Sequence, residues 1–424
     1  MLVAQKTWNL QKCLQYGLQH SIDVNIQSNN LDIQKINLYQ SKANLLPSLN
    51  MGVNLNNSFG RNIDGNTNTI TYRKTLSNTY WISSSIDLFH GFVKLNTLRM
   101  NKYLLSVQEQ ETEIVKNKLI TDIITAYYTL QYSIGLENVA KSQVQLAHNQ
   151  YTRMKKLVAV GRETPLNLQD LKRQWMVDQL SYTQVMQAKE LQILKLKKLL
   201  RLQPEDQFRI ADDQESVIVQ KVDLSVTELT KKVQTFPSIK KQDFMLKVAQ
   251  KEYAIAKGKV LPSLQLAAGY NTYFFDANQF SFATQLQNNQ NQQIFLGLNI
   301  PIFNGASVHS EIKRKRLMQE NQRLLVAKQK EELQMIIKQT YDQVQAASNA
   351  YTSSLALLEY SEMSFETVQK KLEKGLASTI DFELAKQQFS QAKADKIKSK
   401  LTYKIYHNIL VYYQTGNWNH VLHQ

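Results

Sequence analysis

The segment Ile86-Asp87-Leu88-Phe89-His90-Gly91 constrains the fold most, because two periodicities meet in it. From Tyr80 to Leu88 mostly apolar residues occupy every second position, which is typical of a β-strand with two different faces. After Gly91 the apolar residues recur at helical spacing, and no proline interrupts them before Pro165. The sequence therefore predicts a strand that leads directly into a helix of about 100 Å, at a rise of about 1.5 Å per residue.

This joint between strand and helix occurs twice. Its second copy is Ile300-Pro301-Ile302-Phe303-Asn304-Gly305, and Gly305 follows Gly91 by 214 residues. Gly375 follows Gly161 by the same interval. An offset that is constant across strand, helix and turn indicates an internal duplication. The chain is therefore predicted to consist of two structural repeats.

Each predicted repeat contains a helix, a β-hairpin, a long helix and a return helix. In the first repeat, residues 1–214, these elements lie at about 5–45, 48–89, 91–157 and 165–202. In the second repeat, residues 215–424, they lie at about 225–259, 263–303, 305–373 and 379–414. The segments 61–78 and 278–293 are rich in Asn, Thr, Gly or Gln, so they are predicted to be the hairpin loops.

The predicted strands could span a membrane as part of a barrel, whereas the predicted helices are not apolar enough to cross it. No run in the sequence approaches the eighteen apolar residues of a transmembrane helix. Four strands cannot close a barrel, and open edges are not tolerated in lipid, so closure requires at least two chains. A dimer would supply eight strands and a trimer twelve. The polar strand positions are predicted to line a wet lumen: Asn50, Asn54, Asn56, Ser83, Ser85, Asn271 and Asn299.

A basic coiled-coil scaffold or adhesin-like surface protein without a channel is the alternative. It would explain the long helices and the net charge of +16, but it gives no reason for apolar strand faces. The run Lys313-Arg314-Lys315-Arg316 is interpreted as a solvated helix face or as a contact for anionic headgroups. Nucleic acid is not an expected partner, because no basic stripe with interleaved aromatic residues is present.

Patterns typical of catalysis or metal binding are missing from the sequence. The histidines have no paired spacing, apart from His420 and His423 near the C-terminus, and Asp212-Asp213 has no evident partner. We therefore predict that the protein is not an enzyme and holds neither a metal nor another cofactor. Cys13 is the single cysteine and is expected to be buried. Val3-Ala4-Gln5 resembles a cleavage site, so a mature form without its export signal is expected.

Together these motifs resemble the TolC-like outer membrane efflux proteins, or outer membrane factors, over nearly the whole chain. The resemblance rests on two N-terminal motifs, two helix-to-strand motifs, the two joints, one helix motif and the two glycine turns. They are Trp8-Asn9-Leu10-Gln11-Lys12-Cys13-Leu14, His20-Ser21-Ile22, Leu46-Pro47-Ser48-Leu49, Leu261-Pro262-Ser263-Leu264, Phe89-His90-Gly91, Phe303-Asn304-Gly305, Ala126-Tyr127-Tyr128, Gly161 and Gly375.

The resemblance implies a mixed α and β membrane protein. Its implied form is a homotrimer with a 12-stranded transmembrane β-barrel, four strands per chain, continued by a long periplasmic α-helical coiled-coil barrel. The implied location is the bacterial outer membrane, with outer membrane lipid around the barrel. The joint residues Phe89, Gly91, Phe303 and Gly305 would mark the level at which barrel passes into helices.

The resemblance also implies a function and its partners. The protein would be the exit duct of a tripartite efflux or type I secretion system, passively conducting substrates from an inner-membrane pump and a periplasmic adaptor. Drugs, metal ions, secreted proteins and surface polysaccharides all remain open as substrates.

In the family, the two glycine turns lie at the periplasmic tip, where the duct narrows. The corresponding residues are Gly161, Thr164 and Asn167 in the first turn and Gly375, Ser378, Thr379 and Asp381 in the second. The alternative interpretation is two ordinary helix turns, since glycine suits a left-handed helix end and hydroxyl groups suit an N-cap.

Asp381 has two interpretations of equal weight. Some relatives place an acidic residue at this position, and in a trimer three carboxylates would form a ring that attracts cations. An acid in the first turn of a helix is also favoured by the helix dipole alone. Leu384 stands where relatives with a second ring have another acid, so only one ring is expected.

Overall fold

The computed structural model describes residues 7–63, 68–72, 74–211, 229, 232–276 and 280–422. The predicted cleavage segment Val3-Ala4-Gln5, the pair Asp212-Asp213 and His423 lie outside these residues. Among these residues the fold is mixed α and β and mostly helical, with 72% helix. Among the described residues, no helix has the length and apolar character needed to cross a membrane.

The first half runs from a short strand through two helices and four strands to two longer helices and a last short strand. They are β1 (Thr7–Trp8), α1 (Leu10–His20), α2 (Ile22–Ala43), β2 (Ser48–Ser58), β3 (Arg61–Ile63), β4 (Ile70–Tyr72), β5 (Thr75–His90), α3 (Val93–Ala159), α4 (Pro165–Leu200) and β6 (Arg209–Ile210). The 67 residues of α3 match the predicted long helix, and its bounds differ from the prediction by two residues.

The second half contains the corresponding elements. A 3-10 turn (Lys232–Thr235) precedes α5 (Pro237–Gly258), β7 (Ser263–Phe275), α6 (Phe282–Asn288), β8 (Asn291–Asn299), α7 (Ser307–Glu373), α8 (Thr379–Thr415) and α9 (Asn419–Leu422). Helix α7 also has 67 residues, and it begins and ends 214 residues after α3. The offset read from the sequence therefore recurs in the element bounds.

Two compact units divide the chain differently from the predicted repeats. The helical unit comprises Met1–Ser28, Glu111–Ile239 and Lys328–Gln424, and the sheet unit comprises Asn29–Gln110 and Lys240–Ala327. Each unit takes segments from both halves. The repeats 1–214 and 215–424 therefore remain a prediction about the sequence pattern and are not the compact units of the fold.

The sheet unit contains one four-stranded sheet in the order β2-β5-β7-β8, with every neighbouring pair antiparallel. Strands β2 and β8 are therefore its edges. The pairs Met51↔Ile82, Ile82↔Tyr270 and Leu266↔Leu296 place apolar residues on one face. The polar positions predicted to line a lumen, such as Asn50 opposite Ser83, all lie on the other face.

Both edge strands of the sheet expose apolar side chains of this face in the single chain. Met51 on β2 is 79% exposed and Ile294 on β8 is 83% exposed. Burying apolar surface contributes about 25 cal/mol per Å², so a face of this kind requires an apolar environment.

Three segments depart from the predicted structure. The helix predicted over 5–45 is β1 followed by two helices, because Ser21 adopts an extended backbone and its hydroxyl oxygen accepts from the Val24 N–H at 3.4 Å. The segment 61–78 contains β3, β4 and the beginning of β5. The segment 278–293 contains α6 and the beginning of β8, whereas it was predicted to be a loop throughout.

The second joint also differs from the prediction. Strand β8 ends at Asn299, and residues 300–304 form neither helix nor strand. Pro301 lacks an N–H and cannot continue the ladder, so the strand stops before it. In the first joint, β5 runs to His90 through a register shift between Asp87 and Phe89.

The helical unit has a continuous apolar core. Ile123, Tyr127 and Leu130 of α3 are buried, and they belong to one cluster with residues of α4, α7 and α8. Cys13 is buried in the same cluster, which confirms the expectation from sequence. Burial raises the pKa of the Cys13 thiol to about 12, so the group is protonated at neutral pH.

Candidate functional site: the joints and the helix turns

Both joints connect the sheet to a long helix with the same backbone conformation. Gly91 and Phe92 have φ values of +56° and +59°, and Gly305 and Ala306 have +63° and +60°. Two successive left-handed residues turn the strand direction into the helix direction, and glycine tolerates the first position because it has no Cβ. The predicted joint glycines thus perform the same local role in both halves.

The surroundings of the two joints differ. A Cβ on Gly91 would meet the carbonyl oxygen of Gly258, so the backbone of α5 lies against the first joint. The Phe89 ring packs edge-on against Phe92 at 5.2 Å between ring centroids. At the second joint, Gly305 has no heavy atom within 4 Å of the Cβ position among the described residues, and Phe303 is exposed. Among the residues that the structure describes, the first joint is packed and the second is open.

The first helix turn closes α3 and opens α4. Gly161 has φ +75°, its N–H donates to the Val158 oxygen at 3.0 Å, and the Arg162 N–H donates to the Leu157 oxygen at 2.9 Å. These two bonds form a Schellman motif, which satisfies the last carbonyls of the helix. Thr164 is the N-cap of α4, since its hydroxyl accepts from the Asn167 N–H at 3.3 Å.

The second turn repeats this geometry between α7 and α8. Gly375 has φ +75° and donates to the Leu372 oxygen at 3.1 Å, and Leu376 donates to the Lys371 oxygen at 2.8 Å. Ser378 is the N-cap and Thr379 is the first residue of α8. The predicted turn glycines and cap residues thus all take part in the two turns.

Asp381 distinguishes the second turn from the first. Its N–H donates to the Ser378 hydroxyl at 3.1 Å, and its carboxylate accepts from the Ser378 N–H at 3.1 Å and from the hydroxyl at 2.7 Å. This capping box has no charged equivalent at Asn167, whose side-chain amide donates to Glu163 at 2.9 Å. The bonds from Ser378 hold the pKa of Asp381 below its ordinary value, so the exposed side chain carries a full negative charge.

Both turns also present apolar side chains to solvent. Leu376 is 73% exposed and Ile380 is 78% exposed, and Val160 and Leu166 are exposed at the first turn. Sequence reasoning missed this feature, because a single apolar residue beside a turn has no distinguishing pattern.

A buried ion pair joins the two return helices. Lys386 Nζ of α8 lies 2.6 Å from Asp178 Oδ2 of α4 and 3.1 Å from Glu383 Oε2. Lys386 is 3% exposed and Asp178 is 8% exposed. Gln174 donates to the second oxygen of Asp178 at 3.0 Å, so both carboxylate oxygens have a donor. The two residues are 208 positions apart, so no local pattern indicated their contact.

Groups suited to binding a metal are not clustered in the described part of the chain. No set of three or more His, Cys, Asp or Glu side chains there has a suitable arrangement. Half-buried His407 and His420 have pKa values lowered by burial, so both are neutral at pH 7.

Comparison with known proteins identifies the fold. The model of the family described as outer membrane efflux protein matches residues 18–200 and 232–411. The solved structure of CusC has a TM-score of 0.82 at 14% identity, covering 95% of this chain and 91% of that chain. The outer membrane protein VceC of Vibrio cholerae has a TM-score of 0.77 at 15% identity, and the match covers 97% of this chain and 95% of that chain. The CmeC outer membrane channel of Campylobacter jejuni has a TM-score of 0.80 at 16% identity, and the match covers 96% of this chain and 86% of that chain. Curated protein sequences give no significant match.

The fold and the family match define an outer membrane channel protein, located in the bacterial outer membrane. The chain belongs to the outer membrane efflux protein family, since the family model matches most of its length. The resemblance found in the sequence motifs is thereby confirmed. Members of the family are channel proteins and not enzymes.

Proposed function

We propose that three copies of this chain form one exit duct. In this assembly the four-stranded sheets join into a 12-stranded transmembrane β-barrel, and the long helices continue it as a periplasmic coiled-coil barrel. The duct passively conducts substrates from an inner-membrane pump and a periplasmic adaptor to the exterior, in a tripartite efflux or type I secretion system.

The observation that carries this proposal is the open sheet with one apolar face. Strands β2 and β8 are edges, and backbone groups at an edge have no partner in lipid unless another chain supplies a strand. The exposed apolar face fits the surrounding hydrocarbon, and the opposite face, with Asn50 and Ser83, fits a water-filled lumen. Pairing of β2 with β8 of the next protomer satisfies both edges at once.

We place the partner contact and the aperture at the two helix turns. The exposed apolar residues Leu376 and Ile380 support docking of a periplasmic adaptor, because a partner surface that covers them would remove their apolar side chains from water. Asp381 is fully exposed and negatively charged beside them. Three copies of Asp381 around the threefold axis would form a ring that favours cations. Asn167, at the corresponding position of the first turn, would add no negative charge to it.

Single-channel recording in planar bilayers tests the proposal. The purified protein is expected to insert as a conducting pore with a preference for cations. Asp381→Asn removes one negative charge per chain at the second turn, and Asn167→Asp adds one at the corresponding position of the first.

The two variants are expected to shift cation selectivity in opposite directions. Unchanged selectivity in both would remove Asp381 from the aperture and leave it as a helix cap. Failure of the wild-type protein to conduct would contradict the duct itself, and a rod-like protein that needs no detergent would favour a coiled-coil scaffold.

A further inference from the structure

The end of the sheet next to the joints carries an excess of positive charge. His90, Ser263 and Asn299 are paired across β5, β7 and β8, so these strands share one level there. Helices α3 and α7 begin just after this level, and α5 ends just before it. Exposed basic side chains follow on all three helices: Arg99, Lys102, Lys257, Lys313, Arg314 and Arg316. We call these six residues the basic collar.

Acidic residues beside the collar are already paired with other lysines. Glu252 lies 2.8 Å from Lys315, and Glu311 lies 2.9 Å from Lys259. Asp87 lies 2.8 Å from Lys94. Within the described part of the chain, no collar residue forms an ion pair. The charges of the collar are therefore not neutralised by these carboxylates.

Glu311 shows the effect of this excess on a neighbouring group. The hydrogen bond from Lys259 lowers its pKa most, and the charges of Arg314 and Lys315 lower it further. An exposed carboxylate in a neutral surrounding would not experience this additional positive potential. The positive potential of this region therefore favours the binding of an anionic partner.

The collar is also continuous with the apolar face of the sheet. Leu264 and Leu298 are directly paired at this end, on the apolar face. At about 1.5 Å per residue, Arg99 lies about 9 Å and Arg316 about 14 Å beyond the first residue of its helix. The headgroup layer of a bilayer is about 5–8 Å thick on each side, and long basic side chains extend toward it. An anionic partner at this distance from a hydrocarbon-facing surface is a lipid headgroup.

We propose that the basic collar binds the phosphate groups of anionic phospholipids in the membrane leaflet at this end of the sheet. This inference rests on the proposed barrel, because only a membrane-inserted sheet brings headgroups to the collar. Arginine fits phosphate oxygens with two parallel hydrogen bonds, and lysine adds a compact charge. The collar thereby fixes the depth of the protein in the bilayer.

Lipid binding to the full-length protein tests the inference. Delipidated protein in neutral detergent is titrated with phosphatidylglycerol or phosphatidylcholine, and bound lipid is counted by native mass spectrometry. The collar variant is Lys313→Gln/Arg314→Gln/Arg316→Gln. The matched control is Lys370→Gln/Lys371→Gln/Lys374→Gln, which removes the same charge near the other end of α7, where these lysines are also exposed.

The wild type and the control are expected to prefer phosphatidylglycerol, and this preference should weaken at high salt. Each surface cation contributes about fivefold to such binding, so the collar variant should lose at least about tenfold of the preference. Equal preference in the wild type and the collar variant would overturn the inference. An equal loss in the control would also overturn it, because the effect would then follow net charge alone.

Two further outcomes are separated by the same preparation. If the wild type binds inorganic phosphate but shows no preference for phosphatidylglycerol at the same ionic strength, the collar binds free phosphate and the lipid assignment is wrong. The wild type is also recorded in planar bilayers. A conducting protein without lipid preference contradicts only the collar, whereas a protein that neither inserts nor conducts contradicts the proposed duct.

Discussion

Gly91 and Gly258 are in direct backbone contact: a Cβ on either residue would fall on the carbonyl oxygen of the other. The contact holds the end of α5 against the turn that leads from β5 into α3. Backbone atoms cannot move aside as a flexible side chain can, so both positions require glycine. At the second joint, the space around Gly305 is open among the described residues.

Alanine at these glycines should therefore have unequal effects. Gly305→Ala adds only the strain of a left-handed residue, about 1–2 kcal/mol. Gly91→Ala adds the same strain and also displaces α5, at a further cost of about 1–3 kcal/mol. Gly258→Ala should show only the cost of displacing the backbone, because Gly258 is not left-handed. Chemical denaturation in detergent measures the free energy of unfolding. Equal losses for Gly91→Ala and Gly305→Ala would contradict the packed first joint.

The buried pair Lys386–Asp178 is expected to respond asymmetrically to substitution. Asp178→Leu leaves the buried Lys386 with only Glu383 and should cost about 3 kcal/mol. Asp178→Leu/Lys386→Met should recover most of this loss, because both buried charges are gone. The exposed pair Lys338–Asp342 is the control, and Lys338→Met should cost less than about 1 kcal/mol. Similar losses for the buried and exposed single variants would show that the return helices are not joined through Lys386.

Neighbouring positions of β8 should distinguish the two faces of the sheet. Leu296→Lys places a charge on the face assigned to lipid and should lower stability in bilayers by about 2 kcal/mol. Gln293→Lys places the same charge on the opposite face, where it remains in water. Urea unfolding of the protein in vesicles measures both. A larger loss for Gln293→Lys would reverse the assignment of the faces.

The half-buried His407 of α8 should make stability depend on pH. Burial lowers the pKa of His407 below its unfolded value of about 6.5, so the unfolded state binds the proton first. The stabilising contribution is complete above about pH 6.5 and is lost as the pH falls through the folded pKa. Melting temperatures at pH 7.5 and 5.5 should differ less in His407→Leu than in the wild type. Exposed His309→Leu is the control and should keep the wild-type difference.

Local patterns were sufficient to predict the long helices and the turns. The interval between Gly91 and Gly161 contains a continuous helical period without proline, and helices of 67 residues follow from it. Glycine, hydroxyl residue and proline in the order Gly161, Thr164 and Pro165 specify a helix end and a helix start. These signals depend only on residues within one turn of each other.

Contacts between distant segments explain what the sequence did not show. Helix α6 lies in a Gln- and Asn-rich segment, and its Gln285 is buried because it bonds the N–H and the carbonyl oxygen of Phe275 on β7. Those groups lie beyond Asn271, the last residue of β7 paired with β8. The side chain of Gln285 thus continues the ladder where the strand ends, a role that composition does not indicate.

Asp381 illustrates the intermediate case. The sequence allowed an ordinary acid in the first turn of a helix, favoured by the helix dipole, and the resemblance to the family allowed an acidic ring. The structure shows the capping box with Ser378, and an exposed carboxylate in this box also carries the charge that a ring would need. The aperture role remains a prediction, and the conductance of Asp381→Asn decides it.

The number of chains in the detergent-solubilised complex tests the central proposal most directly. Native mass spectrometry of the full-length protein, extracted from membranes without cross-linking, gives this number together with the need for detergent. Three chains that separate and aggregate when detergent is removed are predicted, because each sheet has two open edges and an apolar face. A monodisperse protein that remains in solution without detergent, or a complex of another size, would contradict the trimeric duct.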